Sequence, residues 1–148
     1  MDIIQRCVTG ILLMVLSLCL ISCEKKQQGK VIITEQQFDL RQDKENQYTI
    51  DARGKIKNVG EVDVKKVVVT GYCRSCSDLW IVGQWVITPE IEKMPHQKDI
   101  ISYLPVGSEE SFSFEGITDM LLKADQEEAP LLPDQLEVVI ESFETVDG

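Results

Sequence analysis

The feature that most constrains this chain is a succession of short apolar runs separated by turn residues. Val67–Tyr72 is rich in β-branched residues and has the length of one strand, and Pro89 ends the run that starts at Leu79. Such runs, bounded by Gly, Pro, Asn and Asp, favour strands joined by turns. The other runs are Val31–Thr34, Tyr48–Lys57, Ile100–Leu104, Glu110–Glu115 and Gln135–Thr145. The sequence therefore predicts an all-β fold, a single antiparallel sandwich of about seven strands.

The same pattern predicts which side chains reach the core, because successive residues of a strand point to opposite faces of the sheet. Phe112 and Phe114 should face the space between the two sheets, and Ser113 should face away from it.

One segment departs from this pattern. Thr118 can cap a helix over residues 119–128, where acidic residues and good helix formers precede Pro130. We therefore expect one short helix of two or three turns that covers one end of the sandwich.

The N-terminus predicts export. Arg6 precedes an apolar stretch, Val8–Ile21, whose 14 residues are fewer than the roughly 20 that a membrane-spanning helix needs. A secretory signal peptide is favoured over the alternative, an uncleaved signal anchor. The stretch ends in Leu20–Cys23 (LISC), which resembles the lipobox of bacterial lipoprotein signal peptides.

The lipobox resemblance implies that residues 1–22 are removed and that Cys23 becomes the acylated first residue. Acyl chains would attach the protein to a membrane without a membrane-spanning segment. In Gram-negative lipoproteins an Asp after the cysteine favours the inner membrane, and here Glu24 occupies that position. The resemblance therefore implies the outer membrane, at its periplasmic face or at the cell surface.

The segment after Cys23 has no hydrophobic residue. Glu24–Lys30 (EKKQQGK) is predicted to be a flexible tether that cannot pack, with a reach of roughly 20–25 Å. We therefore divide the chain into the signal peptide at 1–22, the acylated cysteine and tether at 23–30, and the sandwich at 31–148.

Charge and composition exclude several functions. The chain has 25 acidic and 15 basic residues, a net charge of −10, which disfavours binding to nucleic acid. It has one histidine, His96, which excludes a multi-histidine metal site. The acidic pairs Glu109/Glu110 and Glu127/Glu128 lie in a turn and in the expected helix, where solvated carboxylates belong. We expect no catalytic residue, no metal and no cofactor.

Cys73 and Cys76 form the one motif with possible chemistry, a C-x-x-C at the end of a strand. In an oxidising compartment two such thiols favour a structural disulfide. A redox-active pair would favour a helix N-terminus and no nearby acid, but Asp78 and a β-rich run follow. A zinc site would need two further ligands. Free thiols are a fourth alternative.

Trp80, Trp85 and Tyr103 are the candidate binding residues. Trp80 and Trp85 would point to opposite faces of an ideal strand, although a bulge at Gly83 would bring them to the same face. The favoured interpretation is that both are core or core-edge residues. As a partner site, one exposed indole would act with Tyr103 or with the 89–95 loop.

Two segments carry a second resemblance. Gly54–Glu61, followed by the run up to Tyr72, resembles the G-x-(V/I)-x-N-x-G strand-turn-strand of bacterial FxLYD-type and related immunoglobulin-like domains. Leu104–Phe112 is similar to their L-x-P-G-E-x-x-x-F segment. The namesake pattern would fall on Val69–Cys73, where only Tyr72 agrees. The resemblance implies an immunoglobulin-like sandwich and says little about activity.

These observations lead to an expected function. The chain should be a bacterial envelope lipoprotein that holds one immunoglobulin-like sandwich at a membrane and serves as a non-catalytic binding or assembly module. Its partners would be the membrane, through the lipid anchor, and another envelope protein. The alternative is a periplasmic thiol-redox accessory that uses Cys73 and Cys76.

Lipidation at Cys23 gives the first testable prediction. Mass spectrometry of the protein from envelope fractions should find an acylated peptide that begins at Cys23, and Cys23→Ser should abolish it. Replacement of the nearby Ser17 by Ala is the matched control and should leave the acyl mass unchanged. An unmodified peptide spanning Ser22 and Cys23 in the wild-type protein would contradict the assignment.

Overall fold

The computed structural model describes residues 27–76, 85–87, 93–122 and 128–146. The regular structure of these residues is β, apart from one 3-10 turn at Pro95–Gln97. The strands are β1 (Val31–Lys44), β2 (Gln47–Asn58), β3 (Val64–Cys73), β4 (Trp85–Ile87), β5 (Lys98–Leu104), β6 (Glu109–Leu121) and β7 (Leu136–Thr145). The all-β class predicted from the sequence is confirmed.

The strands form two antiparallel sheets. The first has the order β1-β2-β6-β4 and the second the order β5-β3-β7. Side chains join the sheets where their edges meet. The Gln36 Oε1 atom of β1 accepts a hydrogen bond from the Val138 N–H of β7 at 3.2 Å, and the Asp99 Oδ2 atom of β5 accepts one from the Ser113 N–H of β6 at 2.9 Å. Both seams of the sandwich are therefore linked.

The core lies between the sheets and has the predicted alternation. Phe112 and Phe114 are 2% and 3% exposed, whereas Ser113 between them is exposed. Gly54, which pairs with Phe112 across β2 and β6, leaves room for the ring, since a Cβ there would lie 2.7 Å from Phe112 Cζ. The other buried residues of the core are Ile50, Ala52, Ile56, Val64, Val67, Val69, Cys73, Leu104, Ile117 and Val138.

The helix expected from Thr118 is wrong for the residues that the structure describes. Strand β6 continues to Leu121, and Thr118 pairs with Ile50 of β2. Thr49 Oγ1 donates a hydrogen bond to Asp119 Oδ1 at 2.6 Å, so this acid bonds across the sheet instead of lying on a helix surface. Pairing with β2 outweighs the local helix propensity. Residues 123–127 of the expected helix lie outside the described part.

The strands give the sandwich two ends. The turn end consists of residues 28–30, 58–63 and 105–108, where β2 ends and β3 and β6 begin. The disulfide end consists of residues 72–76, 93–97 and 128–135, where β3 ends and β5 and β7 begin.

Asn58 joins the segments of the turn end. Its side chain is fully buried, and its Nδ2 atom donates hydrogen bonds to the Val62 carbonyl at 2.9 Å and to the Leu104 carbonyl at 3.0 Å. Its Oδ1 atom accepts one from the Gly60 N–H at 2.9 Å. Its backbone exchanges two further bonds with the 105–108 turn, through Gly107 N–H and the Ser108 carbonyl. The two motifs of the FxLYD resemblance thus meet at this residue.

The predicted tether begins to pack earlier than expected. The Lys30 carbonyl accepts a hydrogen bond from Val59 N–H at 2.8 Å, and the Gln28 carbonyl accepts one from Glu61 N–H at 2.9 Å. Gly29 lies close to the sheet, because a Cβ there would lie 2.9 Å from side-chain atoms of Val64 and Thr145. The expectation that residues 28–30 cannot pack is therefore wrong, because backbone groups make these contacts without any apolar side chain. Residues 23–26 lie outside the described part.

The bonds of Asn58 predict a large loss of stability on truncation. Asn58→Ala leaves the buried Leu104 carbonyl and the half-buried Val62 carbonyl without these donors, so the free energy of unfolding in urea should fall by at least about 2 kcal/mol. Asn46→Ala, in the exposed β1–β2 turn, is the matched control and should change it by less than about 0.5 kcal/mol. Equal losses in the two variants would contradict the role assigned to Asn58.

Candidate functional site

The C-x-x-C motif lies at the end of β3. The Sγ atoms of Cys73 and Cys76 are 2.07 Å apart, which is bonding distance, as the predicted disulfide requires. Cys73 is 4% exposed and belongs to the core, and Cys76 packs against that core. Within the described ranges, no group of three or more His, Cys, Asp or Glu residues could hold a metal ion.

The disulfide turn holds the residues that precede β7. Arg74 N–H donates a hydrogen bond to the Gln135 carbonyl at 2.7 Å, and Gln135 N–H donates one to Ser75 Oγ at 3.2 Å. Cys73 itself pairs with Leu136, the first residue of β7. The turn closed by the two cysteines therefore positions Gln135 and the start of β7.

Two cations contact the ring of Tyr72. The Arg74 guanidinium lies 4.7 Å from the ring centroid, and the Lys93 ammonium lies 4.6 Å from it. Lys93 is 7% exposed and also donates a hydrogen bond to the Gly71 carbonyl at 3.2 Å. Arg74 forms an ion pair with Glu137, the cross-strand partner of Tyr72. These contacts concentrate positive charge around one aromatic ring on a chain whose net charge is −10.

Exposed apolar side chains lie at the same end. Leu131 and its neighbour Leu132 are 87% and 42% exposed, and Met94 is 60% exposed. The segments that carry them precede β7 and β5, the two strands that flank β3. We name the disulfide-end surface by its members, which are Tyr72, Arg74, Met94, Leu131 and Leu132; the buried Lys93 lies beneath them.

Tyr103 lies at the other end of the sandwich. Its hydroxyl donates a hydrogen bond to Asp63 Oδ2, and Val106 N–H donates one to Asp63 Oδ1 at 2.8 Å. The two bonds hold the pKa of the Asp63 carboxyl below its usual value, and the bond from Tyr103 to Asp63 raises the pKa of the Tyr103 hydroxyl. Tyr103 is half-exposed, and its hydroxyl helps to close the 105–108 turn.

The other candidate residues lie elsewhere. Trp85 starts β4 and pairs through its backbone with Met120, toward the disulfide end of the first sheet. The backbone of Trp85 therefore lies toward the opposite end of the sandwich from Tyr103. Trp80 and Cys23, and the side chain of Trp85, lie outside what the structure describes.

The outer face of the first sheet carries charges that neutralise one another. Arg41 binds Asp51, with Nε 2.7 Å from Oδ2, and also contacts Asp43 and Glu115. The hydrogen bonds that Arg41 donates to Asp51 raise the pKa of Arg41 above its usual value. A shallow groove of about 310 Å³ on this face contains Arg53, which is paired with Asp39 on β1. These pairings make the groove a weaker candidate than the disulfide-end surface.

Tyr72, Lys93 and Leu131 were not among the candidate site residues predicted from the sequence. One signal was available, because Leu131 and Leu132 are adjacent apolar residues between Pro130 and Pro133 and fit no strand. Nothing in the sequence indicates that Lys93 contacts Tyr72, since 20 residues separate them and only the fold brings them together.

Comparisons with known proteins do not assign a function to the chain. No family model matches the chain, and no curated protein and no solved structure matches it. In the part of the chain that the structure describes, no helix is long and apolar enough to cross a membrane.

The disulfide predicts a local change on reduction. The double variant Cys73→Ala/Cys76→Ala should lose only about 1–2 kcal/mol of stability, because the closed loop is short. Its Arg74 and Gln135 amides should exchange hydrogen faster, whereas the Ile56 amide in the core should not. Wild-type protein treated with reductant is the matched control, because it keeps both side chains. Unchanged exchange at Gln135 in both samples would contradict the positioning role of the turn.

Proposed function

We propose that this chain is a bacterial envelope lipoprotein, anchored through acyl chains on Cys23, whose β-sandwich binds another envelope protein without catalysing a reaction. The partner contacts the disulfide-end surface. The observation that carries the proposal is the exposure of Leu131, which is 87% open to solvent next to Leu132, at the end of the sandwich that also holds Tyr72 and its two cations.

The composition of this surface is that of a binding hot spot. Aromatic and arginine side chains dominate the energetics of protein interfaces, and apolar anchors supply buried area at their centre. Complete burial of one leucine side chain stabilises a complex by about 1.5–3 kcal/mol before the costs of association are subtracted. Leu131 and Leu132 therefore supply an apolar anchor, and Tyr72 and Arg74 add the aromatic and arginine side chains that protein interfaces favour.

The support beneath the surface lowers the cost of binding. The disulfide turn holds Gln135 by two hydrogen bonds, four residues after Leu131. A segment held in this way loses less conformational entropy when it meets a partner. The lipid anchor adds to this effect, since two proteins attached to one membrane meet at a high effective concentration. The position of Glu24 after the lipobox favours the outer membrane.

The alternative function is a thiol-redox accessory, and one observation favours it. Arg74 lies between the two cysteines, and a neighbouring cation stabilises a thiolate. Against this, Cys73 is 4% exposed, and thiol–disulfide exchange requires access to a sulfur atom. Titration of thiols before and after mild reductant separates the two functions, because an exchange-competent pair favours redox work and an inert pair favours structure.

Photocrosslinking in cells tests the binding function. A diazirine amino acid at position 131 should give one discrete protein adduct, and the same probe at position 100 should give none. Ile100 is the matched control because it is also apolar and 53% exposed, on the edge strand β5. The substitution Leu131→Asp should reduce copurification of the crosslinked partner at least about tenfold, which corresponds to a loss of about 1.4 kcal/mol.

The control position decides the outcome. Equal adducts at positions 131 and 100 would contradict a binding surface at the disulfide end. If the Leu131→Asp variant copurifies the crosslinked partner as well as the wild-type protein does, the anchoring role of the Leu131 side chain is contradicted.

A further inference from the structure

We infer that the turn end of the sandwich rests against the lipid surface of the membrane that holds the anchor, and that the disulfide-end surface is directed away from it. The inference rests on the proposed acylation of Cys23. It adds an interaction surface with a defined partner, a phospholipid headgroup layer, and an orientation for the domain.

The place where the chain joins the fold supports this orientation. Gln28 and Lys30 accept hydrogen bonds from Glu61 and Val59 N–H, both in the turn after β2. The chain therefore enters the sandwich at the turn end. Any lipid attached upstream is therefore held near that end. Backbone hydrogen bonds fix the place where the chain enters the fold.

The connection between the acylated residue and the sandwich is short. Five residue steps separate Cys23 from Gln28, which span at most about 17 Å even when fully extended. Strand β3 runs from the turn end to the disulfide end, and the nine residue steps from Val64 to Cys73 span about 30 Å at 3.3 Å per residue. The acylated residue thus cannot reach the disulfide end, so the sandwich cannot invert on its anchor.

The turn end also presents apolar side chains to the solvent. Val59 and Val106 are 42% and 48% exposed on two adjoining turns that Asn58 joins through hydrogen bonds. Pro105 beside Val106 is also exposed. Apolar side chains at turn tips insert between headgroups, where they gain from leaving water.

Basic residues also lie close to the anchor in the sequence. They are Lys25, Lys26 and Lys30, and basic groups next to a membrane attract anionic lipids. The turn end also carries the acids Glu61 and Asp63, so the short connection and the exposed apolar turns decide the orientation, and net charge does not. With the turn end against the lipid, a partner of the disulfide-end surface is bound about 30 Å from the headgroups.

Lipid crosslinking tests the orientation. The full chain, expressed with its N-terminal segment and isolated as the membrane-bound form, is placed in vesicles of phosphatidylethanolamine and phosphatidylglycerol. A diazirine amino acid stands at position 106 in one sample and at position 131 in the matched control, which is equally apolar and more exposed. Irradiation should give at least about fivefold more lipid adduct at 106 than at 131.

A longer linker supplies the second variant. Insertion of about twelve Gly and Ser residues between Lys26 and Gln27 should bring the two adduct yields close to each other, because a flexible linker lets the domain turn. Equal yields without the insertion, or a higher yield at 131, would overturn the orientation. A fivefold difference that the insertion leaves unchanged would overturn the role given to the short connection.

A second preparation separates this inference from the proposed function. Residues 23–148 contain both sheets and all described residues, and their Cys23 thiol is coupled to a maleimide phospholipid while Cys73 and Cys76 remain bonded to each other. The same 106-to-131 comparison then decides the orientation without natural acylation. Absence of an acyl mass in cells would refute the lipoprotein function alone, and equal yields on the coupled chain would refute the orientation alone.

Discussion

The hydrogen bonds of the buried Asn58 side chain hold together the turn end of the sandwich, and the arrangement of the strands that meet there depends on them. A fully buried amide must satisfy its donors and its acceptor, and this one bonds Val62, Leu104 and Gly60. It thereby joins the turn after β2 to the strand β5 of the other sheet. Because the chain enters the fold on that same turn, the position of the N-terminal segment also depends on this residue.

The two ends of the sandwich differ in chemistry because different constraints shape them. At the turn end, hydrogen bonds to Asn58 and Asp63 hold two turns whose apolar residues Val59 and Val106 are open to solvent. At the disulfide end, a covalent bond and the hydrogen bonds of Gln135 hold a segment that presents Leu131. One end is suited to lie against a lipid surface, and the other presents an anchor for a protein. This division is the basis of both proposals.

The edges of the two sheets are closed by side chains in place of strand pairing. Gln36 binds a backbone N–H of β7, and Asp99 binds a backbone N–H of β6. Such contacts occupy donors that a sheet edge would otherwise offer to another chain. The charges on the outer face of the first sheet are likewise paired, as Arg41 with Asp51. We therefore place binding at the ends of the sandwich and leave its faces and seams out of the proposals.

Local pattern alone determined the all-β class and the inward positions of Phe112 and Phe114, and it favoured a disulfide between Cys73 and Cys76, because period-two alternation and short spacing are properties of neighbouring residues. The tertiary structure decided what depends on distant partners. Pairing with β2 kept Thr118 in a strand in spite of its helix-favouring neighbours, because cross-sheet hydrogen bonds and burial outweigh propensity. It also brought Lys93 to Tyr72, which no spacing in the sequence encodes.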